Sequence, residues 1–242
     1  MTGAVILAAG FGTRLAPLTD NTPKPLIEVG GRPVIDHLVD RLCEVDGLDR
    51  IVVVANDVHV DAWEPWRSGQ HESVRLVSNG VTRSEDRRGA IADLALGLAE
   101  LDPAAPALVV AGDNLLDEDL GAHLRRALAD DRPYVLCRDL GDHVPPGRFG
   151  EITTDETDTV TRFREKPNAP ESPLAATCTY VFPHASDADV ATYLADDGHI
   201  DSPGAFIGWL SSRRPVGASR LTGRYFDIGS HDTLAEARAA FD

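Results

Sequence analysis

Short runs of apolar, often β-branched residues alternate with segments of helical periodicity through the first half of this chain. Ala4–Ala9, Ile51–Ala55, Val74–Val77 and Ala107–Ala111 read as buried strands. Between them, Pro33–Val45 places Val34, Leu38, Leu42 and Val45 on one helical face, and Ala90–Leu101 and Leu120–Ala129 are helical in the same sense. Tyr134–Cys137, behind Pro133, predicts a further strand. Strands alternating with helices predict an α/β fold: a mixed, mostly parallel, Rossmann-like sheet flanked by helices.

The rhythm changes after Asp139. Gly141–Gly150 is a polar, Pro/Gly-rich loop, and Glu151–Thr154 with Thr159–Arg164 predicts a hairpin. One more strand (Thr177–Phe182) and three helices (Ala188–Ala195, Ala205–Ser212, Leu234–Phe241) follow. This half is expected to form a small antiparallel lid or insertion. With no repeat, linker or low-complexity tract, residues 1–242 are expected to form one domain.

Composition narrows the function. A net charge of -16 lacks the basic footprint of a nucleic-acid binder. No apolar run approaches the roughly 20 residues needed to cross a bilayer, and the N-terminus lacks the basic region of a signal peptide, so a cytoplasmic protein away from membranes is expected. Cys43, Cys137 and Cys178 are too widely spaced for a zinc site and are expected to be small buried hydrophobes. Only Lys24 and Lys166 of the 23 Lys+Arg are lysines, against 39 Asp+Glu. Such a balance points to a salt-adapted cytoplasm or a high-GC genome. The sequence is compatible with a homo-oligomer and does not specify one.

Candidate chemistry starts where the first strand ends. Ala4–Ala9 runs into Gly10-Phe11-Gly12-Thr13-Arg14-Leu15, where glycines let backbone N–H groups approach an anion. A tight ligand-free turn would look similar. A dinucleotide-binding turn would require Gly or Ala where Leu15 stands, and Pro17 opposes a long helix there. Next, Thr22-Pro23-Lys24-Pro25-Leu26 holds a lysine between two prolines, which predicts a rigid, extended segment. Arg14 and Lys24 together offer a planar fork and a point charge for phosphate oxygens. Asp113 ends a buried strand at Gly112-Asp113-Asn114, the position for a Mg2+ ligand or a turn cap. Asp227 lies in Tyr225-Phe226-Asp227-Ile228-Gly229 among apolar neighbours, which suits a metal ligand or a buried cap. Glu165-Lys166-Pro167 supplies an acceptor for hydroxyls and a cation for a phosphate.

Taken in order, Leu7–Leu15, Pro23–Leu26, Gly112–Asn114, Phe149-Gly150-Glu151, Glu165–Pro167 and Phe226–Gly229 resemble the sugar nucleotidyltransferases, a family that includes glucose-1-phosphate thymidylyl- and uridylyltransferases. The ending Gly208-Trp209-Leu210 before Tyr225 is similar to short members lacking a C-terminal β-helix. The resemblance implies transfer of a nucleotidyl group from an NTP, dTTP or UTP favoured, to a sugar 1-phosphate with Mg2+ as cofactor. It also implies roles. Arg14, Lys24 and Asp113 serve catalysis, and Asp113 and Asp227 hold the metal. Ala8, Ala9, Gly10, Gly12 and Thr13 bind the nucleotide. Asn79 and Gly89 lie where the family reads the base, although a glutamine is usual there, and Glu165 and Lys166 bind the sugar phosphate. The family's acidic stretch is replaced by Gly198–Gly204, so regulatory or sugar-facing roles there are not carried over. Alternatives are a cytidylyl- or guanylyltransferase with another phosphorylated acceptor such as phosphocholine, a non-catalytic nucleotide-binding subunit, and a Rossmann oxidoreductase.

Overall fold

The computed structural model describes residues 1–196 and 200–241. In chain order the elements are β1 (Thr2–Leu7), β2 (Glu28–Val29), β3 (Arg32–Pro33), α1 (Val34–Cys43), β4 (Leu48–Ala55), α2 (Val60–Ser68), β5 (Val74–Ser78), α3 (Ala90–Leu98), β6 (Ala107–Ala111), β7 (Asn114–Leu116) and α4 (Leu120–Asp130). There follow β8 (Tyr134–Asp139), β9 (Glu151–Thr154), β10 (Val160–Arg164), β11 (Leu174–Phe182), α5 (Asp187–Ala195), α6 (Pro203–Ser211), β12 (Gly217–Arg220), β13 (Tyr225–Asp227) and α7 (His231–Phe241).

The main sheet runs β10-β9-β11-β6-β1-β4-β5, with β8 joined to β11 and β12 to β8. Strands β6, β1, β4 and β5 are parallel, while β11 is antiparallel to β6. The expected hairpin β9–β10 is continuous with this sheet through β11. Alternation along the strands supplies both faces. Ala4, Ile6, Ile51 and Val53 point into a core with α1, whereas Val5, Val52 and Val54 point into a second core with α3.

A third cluster places Leu15, Ile27, Val29, Ile228 and Leu234 together, so α7 supports the loop that follows β1. Leu15, the residue that broke the dinucleotide pattern, is wholly buried in it.

Helix α2 was not expected, because Pro65 lies inside it. Its Trp63 and Trp66 pack edge to face at 5.4 Å, and the Trp66 indole donates to Asp36 Oδ1 at 2.7 Å. Strand β12, Gly217-Ala218-Ser219-Arg220, carries no β-branched signal, and pairing with β8 decides its conformation. Cys43 is exposed, not buried, because it closes the solvent end of α1; Cys137 is buried and Cys178 half-buried.

Candidate active site

The carboxyl ends of β1 and β6 open into a cavity of about 330 Å³, the edge at which open α/β sheets bind ligands. Ala8, Ala9 and Gly10 form its floor, and Arg14, Lys24, Asp113, Glu165, Lys166 and Asp227 reach its walls. Five segments distant in sequence thus supply one site.

The loop after β1 is shaped by its second glycine. Gly12 sits at φ +64°, and its carbonyl accepts from Leu15 N at 2.8 Å and Thr19 Oγ1 at 3.0 Å. A Cβ there would lie 2.9 Å from Thr19 Cγ2. Gly12 and Thr13 therefore build the turn that presents Arg14, and neither lines the cavity. Lys24 departs from the expected extended backbone. Pro23 is extended, but Lys24–Leu26 closes a 3-10 turn with Ile27 N donating to Lys24 O at 3.1 Å. The turn buries the lysine stem and aims its ammonium at the Asp113 carboxylate, with which it forms an ion pair.

Asp113 and Asp227 are brought together by the two-stranded ladder β7–β13, in which Asn114 is opposite Asp227. Ile228 N donates to Asp113 O at 3.0 Å and continues the link. Burial raises the Asp227 carboxyl above the usual carboxylate range, and Asp113 raises it further; Lys24, Arg14 and Arg148 pull the other way. Two carboxylates in a poorly hydrated pocket are thus set against three cations.

The ladder is fastened to a bulge in β11. Pairing with β8 shifts register between Ala176 and Tyr180, and Cys178 at the bulge has φ +50°. The bulge frees the Thr177 carbonyl, which accepts from Asn114 Nδ2 at 2.6 Å and from the Tyr225 hydroxyl at 3.0 Å. Tyr225 also lies 3.0 Å from Asn114 Oδ1. The neighbours of both aspartates are therefore tied to one buried carbonyl. Burial pushes the Cys178 thiol up to about 12, with Asp113, Asp227 and Glu165 adding to the rise against a Tyr180 hydrogen bond, so it stays a neutral wall.

At the other end, Glu165 and Lys166 follow β10, with Lys166 Nζ 3.7 Å from Glu165 Oε1 and Lys166 at φ +44°. Gly147 N donates to Pro167 O at 3.0 Å, clipping the loop of Arg148 to this turn. Arg148 and Asp93 also line the cavity and were not anticipated. Arg148 had one signal, its place beside Phe149-Gly150. Asp93 had another, as the single charge in the otherwise apolar segment Ala90–Leu98.

Two positions expected to read the base are not on the cavity wall. Asn79 is buried after β5, its amide donating to Asp93 Oδ1 at 2.8 Å and its oxygen accepting from Val81 N at 3.0 Å. One of its amide N–H groups and its oxygen are thereby engaged within the protein. Gly89 takes φ +88° at the start of α3, where a Cβ would meet Ile200 O at 2.5 Å; Ile91 N donates to that same oxygen at 2.9 Å. Gly89 is a close-approach turn for the segment entering α6. Gly198 and His199 lie outside the described residues.

Comparison with known proteins agrees with this geometry. The nucleotidyl transferase family pattern matches residues 3–242. The UTP–glucose-1-phosphate uridylyltransferase AglF of Haloferax volcanii is 28% identical over 238 residues, covering 97% of this chain and 94% of that one. The glucose-1-phosphate adenylyltransferase of Clostridium acetobutylicum is 28% identical over 257 residues, covering 97% of this chain and 65% of that one. A Bacillus anthracis structure assigned as a glucose-1-phosphate thymidylyltransferase, in complex with sucrose, superposes with a TM-score of 0.80 at 26% identity, covering 100% of this chain and 95% of that one. The match over nearly every residue, on a sheet and cavity of this form, places the chain in the nucleotidyl transferase family.

Proposed function

We propose that this protein transfers a nucleotidyl group from an NTP, with UTP or dTTP as the favoured donor, to a sugar 1-phosphate, releasing pyrophosphate. The observation that carries the reading is the convergence of Arg14, Lys24, Asp113, Asp227, Glu165 and Lys166 on one cavity. A non-catalytic nucleotide-binding subunit would have no need to keep all six together.

An oxygen of the acceptor's phosphate attacks the α-phosphorus in line, a new P–O bond forms, and the bond to the β-phosphate oxygen breaks. The attacking phosphate is already ionised at neutral pH, so no general base is required. What remains for the protein is positioning and neutralisation of charge. The loop Ala8–Gly10 offers backbone to the nucleotide, and the Arg14 guanidinium, next to Asp227, supports the α-phosphate and the departing pyrophosphate. Lys24 contributes a fixed ammonium beside Asp113. Glu165 accepts from sugar hydroxyls, and Lys166 holds the sugar's phosphate.

The donor set fits Mg2+. Among the described residues no group of three His, Cys, Asp or Glu forms a complete cage. Mg2+ commonly takes one or two carboxylates and completes its shell with phosphate oxygens and water. Asp113 and Asp227 would hold it, and when bound it would offset the charge of the phosphates.

We place the enzyme in a cytoplasm with nucleotide-sugar synthesis, with residues 1–242 as one catalytic domain. No described helix is long and apolar enough to cross a membrane. The lysine-poor, acidic composition favours a salt-adapted host. Pyrophosphate release across a matrix of NTPs and sugar 1-phosphates with Mg2+ tests the function. Turnover with at least one pair is expected; none with any pair would defeat it.

A further inference from the structure

We infer that Arg148 is a substrate-binding residue that holds the phosphate of the acceptor together with Lys166, its guanidinium fork meeting the phosphate oxygens. The inference rests on the nucleotidyl-transfer reading and adds a residue that fixes the acceptor in place.

Four observations carry it. First, four cations line the cavity among the described residues: Arg14, Lys24, Arg148 and Lys166. Both lysines have a carboxylate at hand. Lys24 is ion-paired with Asp113, and Lys166 Nζ lies 3.7 Å from Glu165 Oε1. Neither arginine makes a hydrogen bond or ion pair with a described residue. A guanidinium that faces a cavity with its N–H groups free is open to an anion. Second, the side chain is steadied. The Arg148 Cζ lies over the Phe149 ring, 5.2 Å from its centroid, and Phe149 lines the same cavity. Such a contact holds the cation without using its N–H groups.

Third, the backbone ties Arg148 to the acceptor turn. Gly147 N donates to Pro167 O at 3.0 Å, which sets Arg148 against the turn of Glu165 and Lys166. Arg148 N donates to Pro145 O at 3.3 Å, and Ala176 N to Gly150 O at 2.9 Å, so the loop is pinned on both sides of the residue. Fourth, the charge of Arg148 reaches the two aspartates. At Asp227 it opposes the rise that burial and Asp113 impose. Arg148 is thereby bracketed by the acceptor turn and the aspartates. The acceptor phosphate must occupy that interval, because Lys166 holds it while it attacks an α-phosphorus at Asp113 and Asp227. Arg14 and Lys24, on the loop after β1, serve the donor.

The charge balance calls for a second cation. A phosphate monoester carries about 1.5 to 2 negative charges at neutral pH, and Lys166 already has Glu165 beside it. The segment entering α6 lines the cavity with Asp201, Ser202, Pro203 and Gly204 and brings no cation. Arg148 supplies the missing charge in a form that suits phosphate geometry.

The test compares wild type, Arg148→Gln and Arg148→Lys in the full chain with UTP, glucose 1-phosphate and Mg2+. Arg148→Gln removes a charge-assisted contact, so the KM for glucose 1-phosphate should rise about tenfold or more while the KM for UTP changes less than about twofold. Arg148→Lys keeps the charge without the fork and should fall between. Calorimetry of glucose 1-phosphate with protein saturated by α,β-methylene-UTP, which does not react, should show the same order of affinities. The Tm of each variant should match wild type, because Arg148 makes no hydrogen bond within the described fold. An unchanged KM for glucose 1-phosphate would overturn the inference. A rise confined to UTP would assign Arg148 to the donor, and equal rises in both KM values with a lower Tm would make it structural; either overturns it, as would no binding of glucose 1-phosphate to the wild type. No turnover by the wild type, with calorimetric binding still weakened in Arg148→Gln, would reject the transfer reading and leave the role of Arg148 standing.

Discussion

Tyr225 offers the sharpest test of how the site is held. Its single hydroxyl proton is within reach of Thr177 O and Asn114 Oδ1, each at 3.0 Å, and Asn114 Oδ1 is the acceptor that depends on it, because Thr177 O already has the Asn114 amide. Tyr225→Phe keeps the ring, so no cavity opens and the packing contribution is retained. Thr177 O keeps Asn114 Nδ2 at 2.6 Å, but Asn114 Oδ1 loses its partner in a residue only 2% exposed. One buried acceptor left unsatisfied costs about 1–3 kcal/mol. For a chain of this size each kcal/mol lowers Tm by roughly 2–4 °C, giving about 2–12 °C. Asn114 and Tyr225 flank Asp113 and Asp227, so kcat should fall together with Tm. Differential scanning calorimetry beside steady-state kinetics reads both. A variant melting within about 1 °C of wild type with unchanged kcat would show that the bulge does not hold the aspartates.

Further outcomes follow from the same geometry. Asp227 titrates higher in the folded protein than in the unfolded chain, so its ionisation costs stability as pH rises above its ordinary value of 3.8. Metal-free Asp227→Asn should therefore melt above metal-free wild type at pH 7, with the gap closing on acidification toward that value; an equal or lower Tm at pH 7 would contradict the burial argument. Lys24→Ala and Asp113→Asn each remove one electrostatic group from the reacting centre and should lose about 10²–10³-fold in kcat; near-normal turnover in either would show that the reacting centre lies elsewhere. With a net charge of -16, unfolding in dilute buffer should precede unfolding in molar KCl, and full stability at low salt would remove the salt-adaptation reading.

Most of the sheet was legible because its strands are buried on both faces and read as continuous apolar runs, as in Val52-Val53-Val54 and Val109-Val110. Pieces decided by tertiary contact were not. Pro65 hides α2, and β12 exists because β8 has an edge to pair. The three-residue strands β7 and β13 are too short to show a period, although they bring Asp113 and Asp227 together. In the site, motif positions at strand ends were readable because the chain order of strands fixes where their ends lie. For Asn79, sequence locates the residue at the end of β5 but cannot show that Asp93, fourteen residues on, accepts from its amide. Lys24 was expected in extended backbone on proline geometry, yet a single 3-10 turn accommodates both prolines and carries it to Asp113.

The central claim is that the α-phosphorus of the nucleotide moves to the acceptor. Parallel reactions with α-labelled and γ-labelled UTP, glucose 1-phosphate and Mg2+ test it directly. The account predicts that α-label appears in the sugar nucleotide and γ-label only in pyrophosphate. Label from the γ-position in the sugar product, or no labelled sugar nucleotide from any NTP and sugar 1-phosphate, would contradict it.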